Sequence, residues 1–309
     1  MGVLFAVVLP VFLVLGFGYL AARLGWMSPA AIDGVTQFSQ SFALPVLLFR
    51  AMSGLDLEAS FQPGLLAAFY AGVLAAFVVG IVGALVLFRR PVEDAIAIGF
   101  AAFFSNTLLL GLPITERAYG PDALAGNYAI ISMHAPLLYI VGITVMEAVR
   151  ARGTSLSALP GRILRQFVRN GIVLGVAAGL AFNLTGLTIP EPAAEAIDLI
   201  AASAIPAALF GLGGTLTRYR PEGDMRAILF VVAICLLLHP AITYGLARAF
   251  GLGTDAIRSA VLTAAMAPGV NAFLFANVYG TARRVAASSV LIGTGLCVLT
   301  ATFWLMLLP

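Results

Sequence analysis

Apolar residues fall in ten runs along the chain: Val3 to Ala22, Val35 to Met52, Leu65 to Phe88, Ala95 to Tyr119, Ala123 to Val149, Asn170 to Leu187, Ala193 to Leu216, Ala227 to Phe250, Ala256 to Tyr279 and Val285 to Leu308. Each is close to the roughly 20 residues that carry an α-helix across the hydrocarbon core of a bilayer. Between them stand turn-formers such as Trp26-Met27-Ser28-Pro29, Gln62-Pro63-Gly64, Gly120-Pro121-Asp122 and Arg220-Pro221-Glu222-Gly223, whose Gly and Pro mark chain reversals. The pattern predicts an all-α polytopic membrane protein with ten transmembrane helices in one compact membrane domain. Two of the runs are interrupted. Ala95 to Gly120 holds Ser105-Asn106-Thr107 and then Gly111-Leu112-Pro113, and Asp255 to Gly280 holds Pro268-Gly269-Val270-Asn271 at its middle. Within lipid every freed backbone group needs a partner, so such breaks are tolerated where they line a protein cavity.

The two breaks belong to a larger repetition. Ala43-Leu44-Pro45-Val46-Leu47-Leu48-Phe49 parallels Ala204-Ile205-Pro206-Ala207-Ala208-Leu209-Phe210 at an offset of 161 (206 − 45). Asp94-Ala95-Ile96 matches Asp255-Ala256-Ile257 at the same offset, and Tyr119-Gly120 matches Tyr279-Gly280 one residue short of it. Spans one to five therefore resemble spans six to ten. Because five is odd, the second set enters the membrane from the opposite face, giving two inverted five-helix repeats with one broken helix in each, spans four and nine. The first repeat is expected over residues 1–150 and the second over 170–309. Residues 151–169 join them, with Ile163, Leu164, Phe167 and Val168 set against Arg162, Arg165 and Arg169, the amphipathy of a helix lying on an anionic leaflet.

Charge orients these spans. The chain has no lysine, and of its 17 basic residues only Arg50, Arg117, Arg248 and Arg258 fall in one set of alternate connectors. The rest fall in the other set, which includes Arg89, Arg90, Arg150, Arg218, Arg220, Arg283 and Arg284. The positive-inside rule makes the arginine-rich side cytoplasmic. Both termini then face outside, and the number of spans is even, in agreement with ten. Composition narrows the classes further. With 61% hydrophobic and 10% charged residues and a mean hydropathy of +1.04, there is too little polar surface for a water-soluble globule. No basic cluster interleaved with aromatics suits nucleic acid, so none is expected as a partner. The motif GxxxxGK[ST] cannot occur without lysine, and HExxH is absent, which argues against an ATP-driven pump and a zinc hydrolase. Cys235 and Cys297 lie in apolar runs without CxxC spacing and read as packing residues; no cofactor or metal is expected. The first run has no basic residue before it and no small-residue cleavage site after it, so it reads as the first span rather than a removable leader.

The candidate site is built from the breaks. Ser105, Asn106 and Thr107 form a polar cluster inside an apolar run, which costs free energy unless satisfied; bonding to neighbouring helices is the alternative role. Gly111 and Pro113 in one span, and Pro268, Gly269 and Asn271 in the other, complete the set. The half-helix after a break starts with free N–H groups and a partial positive charge, which suits a carboxylate. Two such half-helices would hold an anion with no lysine or arginine in the pocket.

Asn106-Thr107-Leu108-Leu109-Leu110-Gly111-Leu112-Pro113 with Tyr119-Gly120, and Gly269-Val270-Asn271-Ala272-Phe273 with Ala276 and Tyr279-Gly280, resemble the paired motifs of the auxin efflux carrier family. The resemblance covers nearly the whole chain. It implies a fold related to sodium/proton antiporters and bile-acid symporters, with a scaffold and a transport domain whose two broken helices, spans four and nine, cross, and movement of organic anions. It also implies that Asn106 contacts the substrate carboxylate at the crossing and that Asn271 is its counterpart. The long cytoplasmic loop of the plant auxin carriers is missing, so the chain resembles the compact bacterial type. That type implies a bacterial inner-membrane location and a mono- or dicarboxylate such as malonate or malate as substrate. Pro268 is displaced by a residue or so from the family's pattern, which puts the register of its half-helix in question.

His134 and His239 sit in apolar spans close to Pro136 and Pro240. Each is a candidate to relay a coupling proton, and the alternative is a bond to a carbonyl freed by the proline. Glu147 is expected to pair with Arg150 or Arg152, and Arg50, Glu116, Arg117 and Arg258 to snorkel at the outer surface. The reading is a secondary active transporter of a small organic anion, working by alternating access. Its partners are that anion, membrane lipid and a coupling H+ or Na+, with a homodimer as an option. A cation/proton antiporter of the same fold is the nearest alternative, though no Asp or Glu lies near either break; a channel or a membrane-embedded enzyme stands further off.

Overall fold

The computed structural model describes residues 2–150, 161, 168 and 170–309; the amphipathic linker expected over 151–169 lies, apart from Gly161 and Val168, outside them. The described residues build helices α1 (Leu4–Arg23), α2 (29–53), α3 (Pro63–Val86), α4a (Val92–Phe103), α4b (107–119), α5 (Pro121–Arg150), α6 (Gly171–Thr185), α7 (Glu191–Leu216), α8 (Met225–Ala249), α9a (Thr254–Ala264), α9b (Val270–Tyr279) and α10 (Arg283–Leu307). Six of them, α1, α3, α5, α7, α8 and α10, are long and apolar enough to cross a membrane. Large apolar side chains such as Phe5, Leu13, Val78, Leu199 and Phe303 remain exposed on the outside of the bundle, as a lipid-facing surface requires.

Prolines shape the helices in a regular way. Four π-helical turns, Leu4–Val8, Ser39–Ala43, Thr107–Gly111 and Ile234–Leu238, each end two residues before a proline, at Pro10, Pro45, Pro113 and Pro240. A proline has no N–H and its ring collides with the carbonyl four residues back. That carbonyl lies inside the widened turn in every case, which moves it off the ring. The freed oxygens then take other donors: Arg117 Nη2 donates to Ala6 O (2.7 Å), and Trp304 Nε1 donates to Leu236 O (2.9 Å).

Packing separates the helices into two groups. α1 packs on α7, α6 on α2, and α2 on α7. Elsewhere α3 packs on α4a and α8, α8 on α9a, α4b against the start of α5, and α9b on α10. Glycines permit the closest approaches. A Cβ on Gly18 would drive into the Phe210 carbonyl, and one on Gly179 would sit 2.7 Å from the Phe49 carbonyl. These two contacts keep one spacing, 179 − 18 and 210 − 49, both 161. Arginines on the arginine-poor side make ion pairs: Arg50 with Asp198 (2.7 Å) and Arg258 with Asp255 (3.4 Å), the latter also donating to the Pro309 carbonyl (2.7 Å).

On the arginine-rich side Asp224 caps α8, accepting from Arg226 N (3.0 Å) and Ala227 N (3.4 Å), and pairs with Arg90 at 2.9 Å. Burial pushes its carboxyl up, but the two amides and the guanidinium outweigh that and hold it below the ordinary carboxylate range. A carboxyl lowered in the folded state adds stability above its unfolded pKa of about 4, and the gain is lost as pH falls through the folded value. Thermal melting of the purified protein should therefore drop on acidification below about pH 4, and Asp224→Asn should flatten that drop. A second measurement checks the helix seams. Gly18→Ala should lower stability by about 1–3 kcal/mol through overpacking, whereas Gly16→Ala, with nothing within 4 Å of the added Cβ, should stay within about 0.5 kcal/mol.

Candidate functional site

α4 and α9 stop being helical at the same place and pair there. Ser105 and Pro268 form an antiparallel bridge, closed by Asn106 N donating to Ala267 O and Gly269 N donating to Phe104 O, both at 2.8 Å. The unwound backbone of each break thus satisfies the other. The two bonds are related by a single shift, 269 − 106 and 267 − 104, both 163. Flanking packing holds the crossing. Phe100 stacks on Phe275 at 3.8 Å and 3°, and Gly293 of α10 makes room for the Pro268 ring, since a Cβ there would lie 2.7 Å from Pro268 Cδ.

Each half-helix begins differently. Asn106 caps α4b: its Oδ1 accepts from Leu109 N (3.3 Å), while its backbone oxygen accepts from Leu110 N and Gly111 N (3.2 Å each). With Oδ1 committed, Nδ2 is the free end of the amide and is a donor. In α9b the cap position is Gly269, which has no side chain to offer. The first amides of α9b, at Val270 and Asn271, therefore have no intrahelical acceptor. The register settles the question raised by Pro268: Gly269, not Asn271, corresponds to Asn106, and Asn271 is the second residue of its helix.

Of the residues expected in the site, Asn106 and Asn271 are half-buried and reachable, with Leu109 and Val270 beside them. Ser105, Thr107, Gly111, Pro113, Pro268 and Gly269 are buried; Ser105, Pro268 and Gly269 belong to the crossing, whereas Gly111 and Pro113 lie inside α4b, where the π-turn absorbs the proline and no break opens. A Cβ on Gly269 would lie 3.5 Å from Phe104 O and 3.6 Å from Asn106 Cα, so close approach does not by itself demand glycine there. Sequence reading missed Asn127 of α5. Its Nδ2 donates to Thr115 Oγ1 of α4b (3.1 Å) and to Thr263 Oγ1 of α9a (2.8 Å), tying both broken helices together beyond the crossing. A lone asparagine inside an apolar run was the available signal.

His134 and His239 are placed together: both rings pack on Phe69, at 5.7 and 5.4 Å. Neither makes the expected bond to a proline-freed carbonyl. The Leu236 oxygen freed by Pro240 is taken by Trp304, and the rings approach instead the backbone of Ser105 (His134) and of Phe69 (His239), short of good hydrogen-bond geometry. Glu147 accepts from the Tyr279 hydroxyl (3.1 Å), and Arg150 lies 4.9 Å over the Tyr279 ring, so both reach across to α9b. A cavity of about 530 Å³ opens on the arginine-rich side. Arg218, Arg220, Arg283 and Arg284 line it, together with Tyr219 just past α7 and Val270 of α9b. Arg218 pairs with Asp33 (2.7 Å); among the described residues Arg283 and Arg284 make no ion pair.

The arrangement offers donors without a fixed cation: two amide side chains, the uncapped start of α9b, and an approach lined by arginine. Known proteins agree with a transport role. A protein of Rhizobium meliloti (strain 1021) named "Putative malonate transporter" is 29% identical over 304 residues, 97% of this chain and 94% of the relative. "Uncharacterized transporter YfdV" of Escherichia coli (strain K12) is 22% identical over 304 residues, 96% of this chain and 95% of the relative. The mouse "Lysosomal cholesterol signaling protein" is 26% identical over 251 residues, 76% of this chain and 29% of that longer protein. The profile of the family described as "Membrane transport protein" matches residues 3–305, nearly end to end, and the chain belongs to that family, the one that includes the auxin efflux carriers.

Proposed function

We propose that the protein is a secondary carrier of a small organic anion, a mono- or dicarboxylate such as malonate or malate, bound at the α4–α9 crossing. The observation that carries this reading is the reciprocal pairing of the two breaks, which leaves Asn106, Asn271 and the uncapped amides of α9b as the reachable polar groups. All of them donate, and none brings a negative charge. A carboxylate is the ligand that matches such a set, and the name of the Rhizobium relative agrees with it.

Ten spans in two inverted repeats, 1–150 and 170–309, are the architecture that fits the packing. The contacts of α1 with α7 and of α6 with α2 exchange under a shift of five helices, and so do those of α3 with α4a and α8 with α9a. The paired glycine seams at Gly18 and Gly179 repeat at the spacing found in the sequence. In this reading α1, α2, α6 and α7 are the scaffold, and the other six spans carry the crossing past it. The protein sits in the bacterial inner membrane with both termini outside, and the arginine-lined cavity is the cytoplasmic approach in an inward-facing state. Arg283 and Arg284 would raise the local concentration of an anion there.

Substitutions at the crossing separate capping from binding. Asn106→Ala and Asn271→Ala should abolish malonate or malate flux in proteoliposomes while protein abundance is unchanged. Asn106→Asp keeps the cap, since Asp and Asn cap equally well, but replaces the donor with an acceptor. It should melt near wild type and still fail to bind the anion in a thermal-shift assay. Normal flux by both alanine variants would remove the site.

A further inference from the structure

Beneath the crossing lies a second polar group of residues that the anion site does not use. His134 of α5 and His239 of α8 are 2% and 0% exposed, and their rings approach only the backbone of Ser105 and of Phe69 respectively, short of good hydrogen-bond geometry. Thr243, one turn after His239, and Ser105, in the crossing itself, are likewise buried, each with an unpartnered hydroxyl. The set is held together by aromatic rings. Phe69 of α3 touches both imidazoles, and Phe104 meets His134 edge-on at 5.1 Å. Gly72, one turn beyond Phe69, faces Thr243 and His239, where a Cβ would lie 3.0 Å from His239 Cδ2. Buried polar atoms left open in this number point to something they bind, and an imidazole nitrogen with an open lone pair binds a proton.

The surroundings decide when it does so. The titratable groups around the pair are Tyr70, which meets Phe69 edge-on and donates its hydroxyl to Ile130 O (3.0 Å), Tyr139, which packs on Phe104 at 5.5 Å, and Cys235, one turn before His239, whose thiol donates to Ala102 O (3.1 Å). α9a, packed on α8, carries Asp255 and Arg258 at its outer end, paired with each other. Among the described residues no carboxylate or guanidinium pairs with either histidine. A buried imidazolium needs a negative charge nearby, and the described residues supply none. The bound anion does. The backbone of Ser105 is the polar group next to His134, and the following residue, about 3.8 Å along the chain, is Asn106.

We propose that His134 and His239 form a proton site coupled to the anion site, so that an anion arriving at Asn106 draws one proton onto the pair and the two cross together. This rests on the carrier reading above and deepens it by naming the coupling ion. The proton comes from the aqueous side open to the crossing, adds to an imidazole nitrogen lone pair, and leaves on the other side when the anion does. By linkage, whatever favours the proton favours the anion equally.

The test is calorimetric binding of malonate to the full-length purified protein above pH 7, in two buffers of different ionisation enthalpy. Free carboxylates carry no proton in that range. Wild type is expected to take up about one proton per malonate, and malonate affinity to tighten about tenfold per pH unit on acidification. His134→Gln or His239→Gln should bind malonate without proton uptake and with flat pH dependence. In proteoliposomes either variant should keep malonate exchange but lose accumulation driven by a pH gradient. Binding to wild type with no proton uptake overturns the proton site and leaves the carrier standing; so does full gradient-driven accumulation by both variants. Absence of binding by malonate and malate alike overturns the carrier reading itself. The wild-type buffer comparison decides even where a variant fails to fold.

Discussion

Two hydrogen bonds, Asn106 N to Ala267 O and Gly269 N to Phe104 O, are the constraint on which the rest depends. A helix interrupted within an apolar bundle leaves amides and carbonyls that no water can satisfy, at a cost of several kcal/mol for each group left open. Here the two interruptions satisfy one another. Neither break is tenable without its partner, which explains why α4a must pack near α9b and α9a near α4b. The arrangement also brings the amino ends of both following half-helices to the same neighbourhood, that of α4b capped by Asn106 and that of α9b uncapped. In the function proposed, a binding site for negative charge is a by-product of how the chain avoids orphaned backbone groups.

The remaining parts stabilise or feed that point. Asn127 bridges Thr115 and Thr263 across the two broken helices, Gly293 clears space for Pro268, and the Phe100–Phe275 stack clamps α4a on α9b. π-turns let Pro10, Pro45, Pro113 and Pro240 sit inside long helices without collision. Where those turns free a carbonyl, Arg117 and Trp304 reach in from other helices to bond it. The glycine seams of α1 on α7 and of α6 on α2 bring backbones too close for any side chain. Without a hydrophobic drive between helices in lipid, such close packing is a main source of association. This gives the α1, α2, α6 and α7 group a rigidity against which the crossing can be referred.

Much of this was legible beforehand because hydropathy and breaker residues are local properties. Most run boundaries lie within a few residues of the helix ends, α2 starting six residues before its run, and Pro-Gly-Val-Asn announced the interruption of α9; Gly111-Leu112-Pro113 instead lies inside α4b, and the interruption of α4 falls earlier, at Phe104 to Asn106. What failed were inferences that needed a partner's position. His239 was expected to bond a carbonyl freed by Pro240, but a tryptophan some 65 residues later in the chain occupies it (304 − 239). Asn271 was matched to Asn106 by residue type, while the antiparallel pairing sets Gly269 at that position. Asn127 drew no notice, since one asparagine in an apolar run does not say which threonines it meets.

By itself the sequence determined that this chain is helical and membrane-embedded, that two of its helices break, and that its halves resemble each other. Those conclusions need only residue-by-residue transfer energies, backbone propensities and a repeat spacing. Tertiary structure decided that the breaks pair, that Asn106 and Asn271 alone of the expected set remain reachable, and that two distant histidines share one phenylalanine. Each of these depends on which backbone or ring stands within a few ångströms of another, and helices brought together from far along the chain set that distance.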